Sequence, residues 1–186
     1  MISSSGTIFI ILKVVLAATM MVAVVGLPST PVQPRELVHL VLGGEGSTSW
    51  DIGNIKPGDS GNKTVELYND SDSNGNIIIW ISDINNGEGM DSESETGDIA
   101  EPGELGEYLL FNSSCSRLDT NLSLPVTIDA LPQSASDPHY LKIVPFHARE
   151  TIILTWEWEF AKSGRPQNSA QGDNLSFTIN YLLEAW

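Results

Sequence analysis

Regular alternation of apolar and polar residues is the feature that most constrains the fold of this sequence. From Thr151 to Phe160 every second residue is apolar, and the same period of two returns from Leu175 to Leu183. Side chains on a β-strand point alternately to its two faces, so each stretch is expected to bury one face. No stretch predicts a soluble amphipathic helix. The sequence therefore favours an all-β fold.

A turn at Pro57 and Gly58 separates two further alternating stretches, within Trp50–Tyr68. Pro57 sets φ for the second position of a type II turn, and Gly58 supplies the positive φ that the third position needs. Val65 and Leu67 then alternate with polar neighbours. We expect Trp50–Tyr68 to form a β-hairpin at the edge of a sandwich.

The remaining strands predict how the sheets are arranged. Asn76–Ile84 is apolar at successive positions, which indicates a central strand covered on both faces. Shorter strands are expected at Leu37–Leu42, Glu107–Phe111, Leu122–Asp129 and Tyr140–Phe146, and residues 85–107 form an acidic loop. About eight or nine strands with long connections fit a jelly-roll-like two-sheet sandwich better than a meander.

The N-terminal residues predict an exported protein. Ile8–Leu27 is almost continuously apolar and ends in small residues, which predicts a cleaved signal peptide over residues 1–26. A retained membrane anchor is the competing interpretation, because about 20 apolar residues can cross a bilayer.

The residues after this leader predict an extended arm. Prolines at positions 28, 31 and 34 recur every third residue, which is the period of polyproline II. We therefore expect an arm at 27–42, followed by a sandwich domain at 43–186.

Charge and cysteine content exclude several classes of protein. Asp and Glu number 24 against 9 Lys and Arg, and the net charge is −15. Such a charge argues against nucleic acid as a partner and predicts self-association that responds to salt or divalent cations. Cys115 is the only cysteine, so no intramolecular disulfide can form. We expect it to be a small buried residue, with an intermolecular disulfide as the alternative.

Asn-x-Ser/Thr sequons are more frequent than composition alone predicts, which favours a glycosylated, exported surface. The five sequons begin at Asn62, Asn69, Asn112, Asn121 and Asn174. The alternative is that asparagine and serine share turns for conformational reasons.

Three blocks of sequence follow one another in an informative order. They are the apolar leader with the strand 37–42, the turn 55–61 with the strand Val65–Asn69, and Thr155–Trp158 followed by Gln171–Asp173 and Leu175–Ile179. In these blocks the chain resembles the TasA/camelysin family of exported β-sandwich proteins. The resemblance implies a jelly-roll subunit of extracellular fibres, as in biofilm matrices, archaeal surface threads and bundling pili. It also implies donor-strand complementation, in which an N-terminal strand of one subunit completes the sandwich of the next.

For this chain the resemblance implies a head-to-tail homopolymer, with neighbouring filaments as partners where fibres bundle. The candidate donor residues are Val32, Leu37, Val38, Leu40, Val41 and Leu42. Two placements stay open, because a proline lacks the N–H that a β-ladder uses. Either the arm 27–36 inserts at a sheet edge, or the strand 37–42 inserts and the prolines serve as a spacer.

Residues that would support catalysis are sparse. Camelysin-type relatives have been classed as metallopeptidases, but this chain has no His-Glu-x-x-His motif, and His39, His139 and His147 stand singly. A Gly-x-Ser-x-Gly elbow is also lacking. Trp156 and Trp158 could stack on sugar rings, but their alternation with glutamates favours core packing. We therefore expect no enzymatic activity.

The segment from Asp70 to Gly75 matches the first half of a calcium-binding loop, with oxygen ligands at alternate positions. Position 12 of such a loop would be Ile81 instead of glutamate. A polar turn is one interpretation. The other is a calcium site at Asp70, Asp72 and Asn74, completed by a carboxylate of the acidic loop. No other cofactor is expected.

Together these features predict a secreted, non-enzymatic subunit of an extracellular filament at the cell surface. No stable membrane association is expected after signal cleavage. The alternative is a monomeric cell-surface or calcium-binding β-sandwich, and an exported metallopeptidase is the third hypothesis.

Overall fold

The alternating stretches become strands in the computed structural model, which describes residues 35–89, 102–164 and 166–186. The strands are β1 (Glu36–Leu40), β2 (Glu45–Gly53), β3 (Ser60–Asn69), β4 (Gly75–Gly87), β5 (Leu109–Ser114), β6 (Leu118–Thr120), β7 (Leu141–Phe146), β8 (Thr151–Phe160) and β9 (Asn174–Ala185). A helical turn, α1 (Leu105–Tyr108), and two 3-10 helices, Ile128–Ala130 and Asn168–Ala170, lie between strands. Within the described ranges, no helix is long and apolar enough to cross a membrane.

The strands form two packed sheets, which confirms the predicted all-β, two-sheet sandwich. Sheet A has four strands in the order β1-β3-β8-β5, and sheet B has five in the order β2-β9-β4-β7-β6. Successive strands alternate between the sheets, except that β6 and β7 are neighbours in sheet B. This alternation is typical of a jelly roll. The predicted signal peptide, Val32 and residues 90–101 of the acidic loop lie outside the described residues.

The core lies between β8 of sheet A and β9 of sheet B, whose apolar faces are buried as predicted. The buried side chains are Ile152, Leu154, Trp156 and Phe160 on β8, and Leu175, Phe177, Ile179, Tyr181 and Leu183 on β9. Phe111 of β5 meets the ring of Phe177 edge to face, with 5.4 Å between centroids. Aromatic pairs of this geometry contribute about 0.5–1.5 kcal/mol beyond their buried area. The central position predicted for Asn76–Ile84 is confirmed, because β4 pairs with β9 and β7.

The predicted hairpin at Pro57-Gly58 is wrong. β2 pairs with β9 and β3 pairs with β8, so the turn carries the chain from sheet B to sheet A. The turn itself forms at the expected place, since Gly58 has φ +99° and the N–H of Asp59 donates to the carbonyl of Lys56 at 2.9 Å. The two strands bury their apolar residues in a common core, which places them face to face instead of side by side.

The strand predicted at Leu122–Asp129 is also wrong. Val126 makes an isolated bridge to Phe111, and a 3-10 helix begins at Ile128. Pro125 lacks the N–H that a continuous ladder uses, which accounts for the interruption. Instead β6, three residues long, pairs with β7.

An ion pair ties the beginning of β6 to the turn between β7 and β8. The guanidinium of Arg117 donates to both carboxylate oxygens of Glu150 and, at 2.7 Å, to the carbonyl of Pro145. Glu150 also accepts the N–H of His147 at 2.9 Å. The hydrogen bond from Arg117 is the main reason that the pKa of Glu150 lies below its ordinary value.

This lowered pKa predicts how acid destabilises the protein. The stabilisation by Glu150 is complete above its ordinary pKa of 4.5 and is lost as pH falls through the lower pKa of the folded state. We expect Glu150→Gln to lower the free energy of unfolding at pH 7 by about 0.5–1 kcal/mol and to flatten its decline below pH 4.5. Urea unfolding at pH 7 and pH 3 measures both effects. Glu159→Gln, at an exposed position of β8, is the control; an equal effect there would contradict the prediction.

Candidate assembly site

The N-terminal strand β1 lies at the edge of sheet A, where it pairs in parallel with β3. The register joins Glu36 to Val65 and Leu40 to Asn69. Val38 and Leu40 point into the sandwich and are 7% and 0% exposed. The other apolar residues of β1 and of the segment after it do not enter the core: Leu37 and Val41 are about half exposed, and Leu42 is also exposed.

The structure places the candidate donor residues differently from one another. Val38 and Leu40 fill a place in their own sandwich, whereas Leu37, Val41 and Leu42 are exposed. β1 therefore belongs to the same compact unit as the strands that follow, although the sequence predicts an arm up to residue 42 and a domain from residue 43. The sandwich of the single chain is complete beside Val65–Asn69.

A glycine in β2 lets β1 approach closely. A Cβ added to Gly46 would lie 2.4 Å from Cγ1 of Val38 and 3.1 Å from Cδ2 of Leu40. Any side chain at this position must therefore displace β1. An isolated glycine inside an alternating strand is the sequence signal that would have revealed this contact.

Charged side chains align β1 with β3. Arg35 pairs with Glu66 at 2.9 Å, and Glu36 pairs with Lys63 at 2.6 Å. These two cations are drawn from only nine lysines and arginines in the whole chain. Exposed ion pairs contribute about 0–1 kcal/mol each, so these pairs define the register more than they hold the strand.

A groove lies beside the half of β3 that β1 does not cover. β1 covers only Val65–Asn69, so the same edge of β3 is unpaired at Ser60–Thr64 among the described strands. β2 is the edge strand of sheet B on this side. Between them lies a cavity of about 420 Å³, here called the edge groove, lined by Trp50, Ile52, Ile55, Trp158, Asn62 and Lys63.

Two features leave the walls of the edge groove aromatic. Gly61 lies opposite Trp158 and has no side chain to cover it; an added Cβ would be 2.7 Å from the indole Nε1. On the other wall, Nζ of Lys63 lies 5.5 Å from the centroid of the Trp50 ring and donates to the carbonyl of Ser49 at 2.9 Å. The sequence singled out Trp158 only as a residue that could stack on sugar rings, and it did not predict the groove, because its walls come together only when the two sheets pack.

Of the predicted calcium ligands Asp70, Asp72 and Asn74, the two aspartates contact the guanidinium of Arg149 and the asparagine contacts the neighbouring backbone. Arg149 donates from Nε to Asp72 at 3.0 Å and from Nη1 to both the carboxylate and the carbonyl of Asp70. The side-chain oxygen of Asn74 accepts the N–H of Ala148 at 2.9 Å. The hydrogen bond to Asp72 is the main cause of a raised pKa of Arg149. Calcium binding here stays a prediction.

A second acidic group lies where the acidic loop leaves and rejoins the sandwich. Glu88, Glu104 and Asp173 each offer an oxygen within 4.8 Å of the others, the only such group of three potential metal ligands in the described residues. Asp173 is fully buried and accepts the N–H of Glu104 at 2.6 Å. Hard carboxylate oxygens of this kind suit calcium. The sequence did not predict the group, because Asp173 is distant along the chain.

The five sequon asparagines differ in exposure. Asn62 and Asn121 are exposed, and Asn112 and Asn174 are partly buried. Asn69 is fully buried, and its amide nitrogen donates to the carbonyls of Ser73 at 3.0 Å and His147 at 2.9 Å. The folded structure therefore leaves no room for a glycan at Asn69.

The structure places the remaining candidate residues, namely the histidines, Trp156 and Cys115, as follows. His39 lies on the outer face of β1, with its ring edge to face with Tyr68 at 5.4 Å. Neither His139 nor His147 belongs to a group of three metal ligands in the described ranges. Trp156 is 1% exposed, whereas Cys115 is half-buried and burial raises its pKa.

Comparison with known proteins assigns no family. No family model matches the sequence, and no curated protein matches it significantly. The docking of β1 and the edge groove are therefore the observations on which a function can be argued.

The contact at Gly46 yields a test of how β1 is held. We expect Gly46→Val to loosen β1 without unfolding the sandwich, because overpacking costs about 1–3 kcal/mol and here falls on a terminal strand. Hydrogen exchange of residues 36–42 should accelerate roughly tenfold, while exchange in β9 stays unchanged. Ser47→Val, on the exposed face of the same strand, is the control. Equal exchange of β1 in both variants would show that Gly46 is not the contact that matters.

Proposed function

We propose that this chain is a non-enzymatic structural subunit of an extracellular filament, and that it polymerises by passing β1 to its neighbour. The observation that carries the proposal is β1 itself. It is an N-terminal edge strand of five residues that pairs with one strand and buries two apolar side chains, Val38 and Leu40. A strand so placed can leave without breaking any other ladder.

The same contacts form whether β1 comes from its own chain or from another. Exchange of an identical element between protomers is a low-cost route to assembly, because the contacts within the element's binding place are unchanged. The linker to β2 contains Gly43, with φ +76°, and Gly44, which suits a hinge. Opening at these residues would release β1 as a donor.

The length of the linker favours close subunits. Four residues, 41–44, separate β1 from β2, and an extended residue spans at most about 3.6 Å. The linker therefore reaches about 14 Å, so that donor and acceptor sandwiches must touch. A head-to-tail contact that does not close on itself generates an open filament.

Several sequence features support an extracellular place for such a filament. The apolar leader is typical of a secretion signal. The accessible sequons are compatible with glycosylation of an exported surface. The resemblance to the TasA/camelysin family points to the same class of fibre and to the same mode of assembly.

A disulfide between β1 and β3 tests whether exchange is required. In a Cys115→Ser background, Leu37→Cys and Glu66→Cys occupy paired positions of the parallel ladder. We expect the oxidised monomer to remain monomeric in size-exclusion chromatography and electron micrographs, and reduction to restore polymers. Polymer formation by the oxidised chain at the rate of the reduced one would contradict the proposal.

A disulfide elsewhere in the sandwich is the matched control. Ser82→Cys and Thr178→Cys join β4 to β9, at paired positions away from β1, in the same background. This oxidised chain should polymerise normally, which shows that oxidation alone does not block assembly.

A monomeric cell-surface sandwich is the second candidate function. The docking of β1 in its own sandwich favours it, since the single chain already buries Val38 and Leu40. A parent chain that remains monomeric at every salt and calcium concentration would support this function and exclude the filament.

A further inference from the structure

We infer that successive subunits contact one another through the same end of each sandwich, here called the linker end. It consists of the linker 41–44, the loop 70–74, the turn 147–150 and the last residues of β9. This inference rests on the proposed function, because it concerns subunits that are joined by an exchanged β1. It adds the surface on which two subunits meet and the direction in which each of them faces.

The topology places both ends of the linker at this end of the sandwich. β1 runs parallel to β3 and finishes with Leu40 beside Asn69. β2 begins at the same end, where the N–H of Gly43 donates to the carbonyl of Leu183 at 2.7 Å and the N–H of Leu183 donates to the carbonyl of Gly44 at 3.2 Å. A donated β1 therefore leaves the acceptor at its linker end and continues into β2 at the linker end of the donor.

The reach of the linker brings these two ends together. Four extended residues span at most about 14 Å. Strand β3 has ten residues and is about 33 Å long, so the opposite end of the donor sandwich is out of reach. Each subunit receives one strand and gives another at its linker end. The linker ends therefore gather along the fibre axis, and the sandwiches project away from it.

Exposed apolar side chains are concentrated at the linker end. Five large apolar side chains are exposed in the part of the chain that the structure describes, and three of them, Val41, Leu42 and Trp186, lie here. Val41 and Leu42 belong to the linker itself, so after exchange they lie between the two sandwiches. Trp186 follows β9, is 76% exposed, and donates from its indole to the side chain of Asn76 at 2.7 Å. Tryptophan is among the residues that contribute most to binding at protein interfaces.

Ion pairs reduce the electrostatic repulsion between two linker ends. In the loop 70–74, Asp70 and Asp72 are paired with Arg149, and in the turn 147–150, Glu150 is paired with Arg117. The buried acidic group and the acidic loop lie towards the opposite end of the sandwich. Two copies that each carry a net charge of −15 therefore meet more favourably through their linker ends than through their opposite ends.

Charged substitutions test which surface the subunits share. We expect Trp186→Asp to raise the critical concentration for polymerisation about tenfold or more, because the contact would then bury an unpaired charge. Trp186→Phe keeps an apolar ring and loses only the hydrogen bond to Asn76, so it should polymerise as the parent does. Ile153→Asp, at an exposed apolar position on the outer face of sheet A, is the matched control and should leave the critical concentration unchanged. Sedimentation measures the critical concentration, and urea unfolding of the monomers checks that the variants fold equally well.

Pyrene labels report which ends of the subunits meet. In a Cys115→Ser background, Glu184→Cys carries the label at the linker end, and Lys162→Cys carries it near Gly58 at the opposite end. We expect excimer emission from polymers of the first chain and none from polymers of the second. Excimers from the second chain, or from neither chain while polymers form, would overturn the inference.

The parent chain and its variants separate failure of this inference from failure of the filament. Filaments formed by Trp186→Asp at the critical concentration of the parent would overturn the inference and leave the proposed function standing. Equal inhibition by Ile153→Asp would also overturn the inference alone, because the shared surface would then extend over sheet A. A parent chain that stays monomeric at every concentration would overturn both.

Discussion

Packing of the apolar face of β8 against that of β9 is the interaction on which the other contacts depend. Each strand presents a continuous row of large apolar side chains, and each is flanked by partners on both edges. With these two strands fixed face to face, β3 is held beside β8 and β2 beside β9. Their outer edges then lie on the same open side of the sandwich. On that side, β1 covers one half of the free edge of β3, and the edge groove lies beside the other half.

The sequence predicted the strands better than it predicted their partners. Alternation at Thr151–Phe160 and Leu175–Leu183 identifies a buried face with little ambiguity, because each inward position is large and apolar. Alternation carries no information on which strand lies alongside. The Pro57-Gly58 turn therefore suited a hairpin and a crossing between sheets equally well. At Leu122–Asp129 apolar residues were present, but the missing N–H of Pro125 prevented a ladder.

The site was less predictable than the fold, because its components are distant in sequence. The N-terminal strand was identified from its composition, yet its docking depends on Gly46, and the edge groove depends on Gly61. In both cases the decisive residue contributes by having no side chain, and only the three-dimensional neighbours show why. Likewise Asp173 and Glu104 are separated by 69 residues and meet only where the acidic loop rejoins the sheet.

Docking of β1 within its own chain has a consequence for how filaments would begin. A free subunit satisfies its own strand position, and strand exchange conserves the number of such contacts. An open row of subunits, however short, leaves one position unfilled at one end and one unused strand at the other. Burial of a valine and a leucine by β1 contributes roughly 3–6 kcal/mol together. The unfilled strand position therefore destabilises each row of subunits by this amount, whatever its length. Assembly would therefore be nucleated, with a lag followed by few, long and directional fibres.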